Sequence, residues 1–342
     1  TNLGPEVINI SYTGSRSIIH RVIQIDFSSI SAFLTGFSTY PQPLRLRLRI
    51  FTIFFLYKQT HQAVRKGELS TIMKLVFDKA DLVKSVGIAM KAVSGKTTMP
   101  ILECILIDAS SNVIKFTSND MELGIETIVT GMILERGIVA LDAKIFSEIV
   151  RKLPDNQVTI ETDENLVTTI TCEKAKFNIP GQSGEDFSYL PILETSDCVS
   201  ISQFTLKELI RQTIFSIAAN ENNKLMTGEL FEIKDNTLRV VSLDGHRIAI
   251  RRIELKDSYP DRKVVVPGKT LNEISKILSG EMDDQIDIYF SENHIMFKFD
   301  DTTVVSRLID GEYFRIDQML SSDYETKVTI NKKEFLSCID RA

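Results

Sequence analysis

The chain has no tryptophan, only four cysteines and four histidines, and no long apolar run. The cysteines stand at 104, 172, 198 and 338, without a C-x-x-C or a pairing rhythm, and the histidines at 20, 61, 246 and 294 are as scattered. That spacing argues against a zinc site, any other metal site and a disulfide framework, and it suits a reducing cytosol. The most apolar run, Ile50 to Tyr57, is eight residues long, against the ~20 that a membrane-crossing helix needs. Nor is there an interleaved series of aromatics of the kind that stacks single-stranded bases.

What is present is ordinary for a globular protein: 342 residues, 43% apolar and 25% charged, with 40 Lys+Arg against 46 Asp+Glu for a net charge of −6. At roughly 100–200 residues per domain, two or three domains fit. An acidic total speaks against a nucleic-acid partner only if the charge is evenly spread. It is not: residues 1–72 hold eight basic and three acidic residues, a net of +5, which leaves −11 for residues 73–342. The first segment lacks an initiating Met and keeps neither a helical nor a strand period. It reads as upstream DNA translated in frame, with the protein proper starting at Met73, because Lys66-Gly67-Glu68 can be encoded by a purine run like a ribosome-binding site. A transit peptide and an extra domain are the competing readings.

From Met73 a repeat emerges. Ile145, Phe146, Ile149, Val150 and Leu153 recur at amphipathic-helix spacing, as do Leu206, Leu209, Ile210, Thr213, Ile214 and Ile217, and Leu271, Ile274, Ile277 and Leu278. One equivalent position per helix gives Leu82, Phe146, Leu209, Leu271 and Phe335, separated by 64, 63, 62 and 64 residues. A short β-rich run precedes each helix: Lys74 to Phe77, Gly137 to Leu141, Val199 to Ile201, Lys263 to Val266 and Lys327 to Ile330. Alternating strands follow each helix, with turns expected at Lys234 to Asn236 and at Asp244-Gly245. The unit is βαβββ, the class is α+β, and such units are expected to pair into domains because one helix leaves sheet edges open. The fifth unit stops at Ala342 within its helix pattern, which reads as a truncated frame.

Opposite the apolar stripe, the four helices carry Lys84 and Lys91, then Lys144, Glu148 and Arg151, then Lys207 and Arg211, then Lys269, Glu273 and Lys276. Eight basic residues against two acidic ones run counter to the acidic body. The plain reading is a solvated face with Lys144–Glu148 and Lys269–Glu273 pairs. The functional reading is a basic surface that meets a duplex phosphate backbone without reading bases. A nuclease or polymerase built on Asp120, Asp244, Asp300 and Asp301 is a competing reading, though these lie in turns, and Asp120 and Asp244 occupy repeat-equivalent places. A scaffold without DNA contact is a third.

Thr98-Met-Pro-Ile-Leu102, Asn119-Asp-Met-Glu122, Asp244-Gly-His-Arg-Ile248, Val265-Val-Pro267 and Leu308-Ile-Asp-Gly311, in this order and spacing, resemble the bacterial DNA polymerase III beta subunits, the sliding-clamp family. The resemblance covers residues 73–342 and leaves residues 1–72 as a non-family leader. It implies a DNA clamp fold divided into a first domain at 73–196, a second at 197–324 and the start of a third at 325–342. It further implies helices lining a ring interior, sheets outside, and two full-length chains closing head to tail around double-stranded DNA. The implied protein is a cytoplasmic, cofactor-free, non-catalytic processivity factor of DNA replication. It would tether the polymerase III alpha subunit, the clamp loader and other proteins with clamp-binding motifs. DNA contacts would fall, by resemblance, on Lys96, Lys144, Asn220, Lys224 and Leu225, beside the basic helix residues Lys84, Lys91, Arg151, Lys207, Arg211 and Lys276. A hydrophobic pocket for partner peptides would comprise Met226, Leu243, Gly245, His246, Arg247, Ile248, Phe314 and Met319, with Phe314 in place of the family's usual Pro. Half of that pocket and one side of the ring interface belong to the third domain, so the chain as it stands is expected neither to close a ring nor to bind peptide strongly.

Overall fold

The computed structural model describes residues 73–95, 97–193, 198–219, 223–320 and 325–342. The leader, Lys96 and Asn220 lie outside the described residues.

The first unit runs β1 (Met73–Asp78), α1 (Lys79–Ala89), β2 (Cys104–Asp108), β3 (Ile114–Asn119), β4 (Leu123–Val129) and a short β5 (Met132–Glu135). The second repeats it as β6 (Ile138–Asp142), α2 (Ala143–Lys152), β7 (Gln157–Thr162), β8 (Val167–Cys172) and β9 (Ala175–Ser183). Local chemistry sets these starts. The Asp142 carboxylate accepts from the Ile145 N–H at 2.7 Å, capping the first turn of α2. Arg151 and Lys152 in its last turn complement the negative end of the helix dipole.

The third and fourth units comprise β10 (Cys198–Ser202), α3 (Gln203–Thr213), β11 (Gly228–Leu243), β12 (Ile248–Pro267), α4 (Gly268–Ile277), β13 (Gln285–Phe290), β14 (His294–Phe299) and β15 (Thr302–Arg307). Ser202 caps α3 by accepting from the Thr205 N–H at 3.1 Å. The expected turn at Lys234 to Asn236 lies inside β11 as an irregularity: all three residues are exposed, Asp235 has φ 55°, and the ladder with β12 shifts register there. Gly228–Ile233 pairs with Arg262–Pro267, and Leu238–Leu243 with Ile248–Ile253. A single helical turn, α5 (Ile316–Met319), and α6 (Lys332–Ile339) complete the described elements.

Strands β1–β10 and β13–β15 join one antiparallel sheet, in which β4 of the first unit pairs with β15 of the fourth, Thr302 facing Thr127. The hydroxyls of those two threonines are 3.0 Å apart and buried. The helices cover the sheets as the repeat requires, and Leu82, Phe146, Leu209 and Leu271 are all buried. Phe116 sits edge-on between Phe77 and Phe146, with ring centroids 6.0 and 6.1 Å away. Phe146→Ala is expected to cost about 3–5 kcal/mol, read as a lower urea midpoint at unchanged slope.

Two expectations are corrected. Ile145 is 48% exposed, because the Asp142 cap fixes the phase of α2 and turns Ala143, Phe146, Ser147 and Val150 inward instead. Lys327 to Ile330 forms no strand and is exposed, having no partner strand among the described residues, while the helix after it is capped by Asn331.

Candidate nucleic-acid interface and partner pocket

On the outward side of the helices the basic residues divide into two groups. Lys84, Lys144 and Arg151 are exposed and make no ion pair or side-chain hydrogen bond among the described residues. The others are engaged. Lys207 donates its ammonium to the Leu278 carbonyl at 2.9 Å, satisfying a group just beyond α4. Arg211 forks onto Glu208 with two contacts of 2.7 Å, and its hydrogen bond pulls the Glu208 carboxyl down to about 2. Glu273 accepts from Lys276 at 2.6 Å and lies 4.0 Å from Lys91, while Lys269 pairs with Asp120. The expected Lys144–Glu148 and Lys269–Glu273 pairs are not formed among the described residues. Instead, Lys91–Glu273 and Lys269–Asp120 tie the first unit to the fourth across the β4–β15 seam.

Lys224 is exposed on a single tight turn, Lys224–Thr227. Leu225 beside it does not face the same surface. It packs with Met226, Ile248, Ile250, Ile309, Tyr313 and Phe314 against a buried cluster of Leu230, Val241, Leu243, Val265 and Ile316. Leucine at this place joins an apolar cluster, because leaving it in water would forfeit the transfer free energy of its side chain.

That cluster brings together Met226, Leu243, Ile248 and Phe314 of the expected pocket. Tyr313 and Phe314 meet edge to face at 5.6 Å, so the aromatic that replaces Pro is braced by its neighbour. Gly245, His246 and Arg247 form an exposed rim. Gly245 has φ 89°, a left-handed conformation that glycine adopts without steric cost. Asp244 holds the rim by accepting from the His246 and Arg247 N–H groups at 3.1 and 3.2 Å and from Arg247 Nε at 2.8 Å. The first of these bonds leads in keeping its carboxyl below the usual range. Met319 is exposed at the end of α5. A cleft of about 520 Å³ runs beside the cluster, between β11, β12 and residues 308–318.

Two carboxylates of the enzyme reading, Asp120 and Asp244, serve as turn-formers, while that of Asp300 accepts from Gln203 Nε2 at 3.3 Å. Asp120 accepts from the Glu122 and Leu123 N–H groups at 3.0 and 2.7 Å, the same arrangement that Asp244 makes two units later. Among the described residues no group of three or more His, Cys, Asp or Glu is placed to hold a metal ion, and no helix is long and apolar enough to cross a membrane. The engagements of Lys207, Lys269 and Lys91 were invisible in the sequence, since nothing local signals partners so far along the chain.

Residues 73–191 match the family model for the N-terminal domain of the DNA polymerase III beta subunit, and residues 200–314 match that for its central domain. The Bacillus subtilis (strain 168) beta sliding clamp is 38% identical over 280 residues, spanning 79% of this chain and 74% of the relative. The crystal structure of a chain described as a DNA polymerase III beta subunit from Eubacterium rectale is 70% identical, with a TM-score of 0.77 over 79% of this chain and 74% of that one. The Bacillus subtilis clamp structure is 37% identical with a TM-score of 0.76, over 79% of this chain and 73% of that one. The chain therefore belongs to the bacterial DNA polymerase III beta subunit family, whose α+β clamp fold it has.

Proposed function

We infer that the protein is a sliding clamp for DNA polymerase III, a non-catalytic factor that keeps the polymerase on its template by encircling the duplex. The observation that carries this reading is the trio Lys84, Lys144 and Arg151, exposed and uncommitted on two neighbouring helices of an otherwise acidic body. Unpaired cations on helices attract phosphate irrespective of base sequence. Individually weak contacts suffice when topology prevents escape, and their weakness permits sliding. Lys96 and Asn220 belong to the same proposed DNA-facing set, with Lys224 supplying charge at its edge.

The domains of this reading are 73–196, 197–324 and a third beginning at 325, with two full-length chains forming the ring. The pocket around Met226, Leu243, Ile248 and Phe314, rimmed by Gly245, His246 and Arg247 and flanked by Met319, would take short apolar peptides of the replicative polymerase and the clamp loader. The bacterial cytoplasm is where these partners work.

The test is topological. Loaded by a bacterial clamp loader onto nicked circular DNA, the full-length protein is expected to stay bound through gel filtration and to be lost when the circle is cut. Equal retention on closed and cut DNA would sink the reading.

A further inference from the structure

We propose that the ion pair between Arg239 and Asp317 is a tether that positions the α5 wall of the partner-peptide pocket. This deepens the pocket reading above and rests on it. Along β11 the residues Leu230, Val241 and Leu243 face the pocket cluster, and Glu232 and Arg239 fall on the same side by alternation. Arg239 reaches Asp317 of α5 through two contacts, Nη2 to Oδ1 at 2.9 Å and Nη1 to Oδ2 at 3.3 Å. Its Nη1 also donates to Glu232 Oε2 at 3.2 Å, and Glu232 Oε1 accepts from Lys263 at 2.7 Å.

Three observations point to positioning. First, α5 is four residues long, far below the ~12–15 at which a helix holds itself in water. Its place depends on what grips it, and the grips are Ile316, buried in the cluster, and Asp317. Phe314 lies three residues before Asp317 and Met319 two after, so the tether sits between two pocket residues. Second, the partners differ sharply in exposure: the Arg239 side chain is 12% exposed and that of Asp317 is 78%. A guanidinium fixed by the sheet reaches up to a carboxylate that would otherwise move in solvent. Third, Arg239 Nε is buried with no acceptor among the described residues. An unpaired buried donor costs stability, so maximal stability alone does not explain an arginine here.

The test compares full-length protein with Asp317→Asn and Asp317→Glu variants, using a fluorescein-labelled linear peptide that ends in two large apolar residues. Because Asp317 is exposed, its variants fold, and all three proteins are expected to melt at the same temperature. Asp317→Asn is expected to weaken peptide binding about three- to tenfold, as loss of one half-exposed charged pair allows. Asp317→Glu, which keeps the carboxylate, is expected to bind as the parent does. If the parent binds and Asp317→Asn binds equally well, the tether is overturned and the pocket stands. If Asp317→Asn lowers the melting temperature in proportion to its loss of affinity, the role is structural and the proposal fails. Absence of binding by the parent overturns the pocket reading and the tether with it.

Discussion

Glu229→Gln is expected to flatten the pH dependence of stability and to make the protein more stable than the parent by about 3–5 kcal/mol at pH 9 and above. Glu229 lies wholly buried in β11. Its Oε2 accepts from the Thr213 hydroxyl at 3.1 Å, and its Oε1 has no partner among the described residues. Burial pushes the carboxyl up to about 8, with the Thr213 bond opposing it. The repeat underlines the oddity. Ile105 occupies the corresponding place in β2, pairing with Leu141 just ahead of α2 as Glu229 pairs with Val266 just ahead of α4. An isoleucine there needs no partner.

The folded chain thus holds a proton on Glu229 that the unfolded chain releases near the ordinary value of 4.5. The stability tied to that proton is fully present below pH 4.5, falls as pH rises, and is gone once pH passes about 8. Glutamine keeps the acceptor for Thr213 and cannot ionise. Urea unfolding at pH 5 and pH 9 decides the matter: the two proteins should converge at the lower pH and separate at the higher. Parallel stability curves would show that Glu229 is not the titrating group.

The second large effect concerns DNA. Reversing Lys84, Lys144 and Arg151 together to Glu is expected to lower the affinity for duplex at least about a hundredfold at low salt. The slope of log affinity against log salt should become shallower by about three phosphate contacts' worth, near 0.9 each. Folding should be unaffected, since none of the three makes an ion pair or side-chain hydrogen bond among the described residues. Arg211→Glu should do much less, because Glu208 already neutralises that guanidinium at 2.7 Å. Lys207→Glu should weaken folding rather than DNA binding, as it removes the donor to the Leu278 carbonyl. Duplex affinities measured by fluorescence anisotropy across a salt series separate these outcomes. An unchanged triple variant would favour a protein scaffold over a clamp.

The repeat was legible in sequence because it is written in burial. Leu82, Phe146, Leu209 and Leu271 keep their spacing since each fills the equivalent place in the core of its own unit, the first two in one buried cluster and the last two in another. Of the residues expected in the pocket, Met226, Leu243, Ile248 and Phe314 converge on one apolar cluster, but the place of Leu225 in that cluster was not legible. Helical phase identifies which side chains point away from the core, yet it says nothing about what meets them there. Lys269 finds its carboxylate 149 residues away, and Lys207 its carbonyl 71 residues away. Only the third dimension distinguishes these cations from Lys84 and Lys144. Ile145 was misread for a local reason, the capping carboxylate three residues before it.

The β4–β15 seam is held by two kinds of bond that respond differently to ions. Its backbone ladder and the buried Thr127–Thr302 pair lie beyond the reach of dissolved salt. The partly exposed Lys91–Glu273 and Lys269–Asp120 pairs are more open to dissolved ions, and added salt weakens their attraction. The ladder and the buried hydroxyl pair therefore join the two halves of the sheet independently of salt, and the ion pairs add a contribution that shrinks as salt rises.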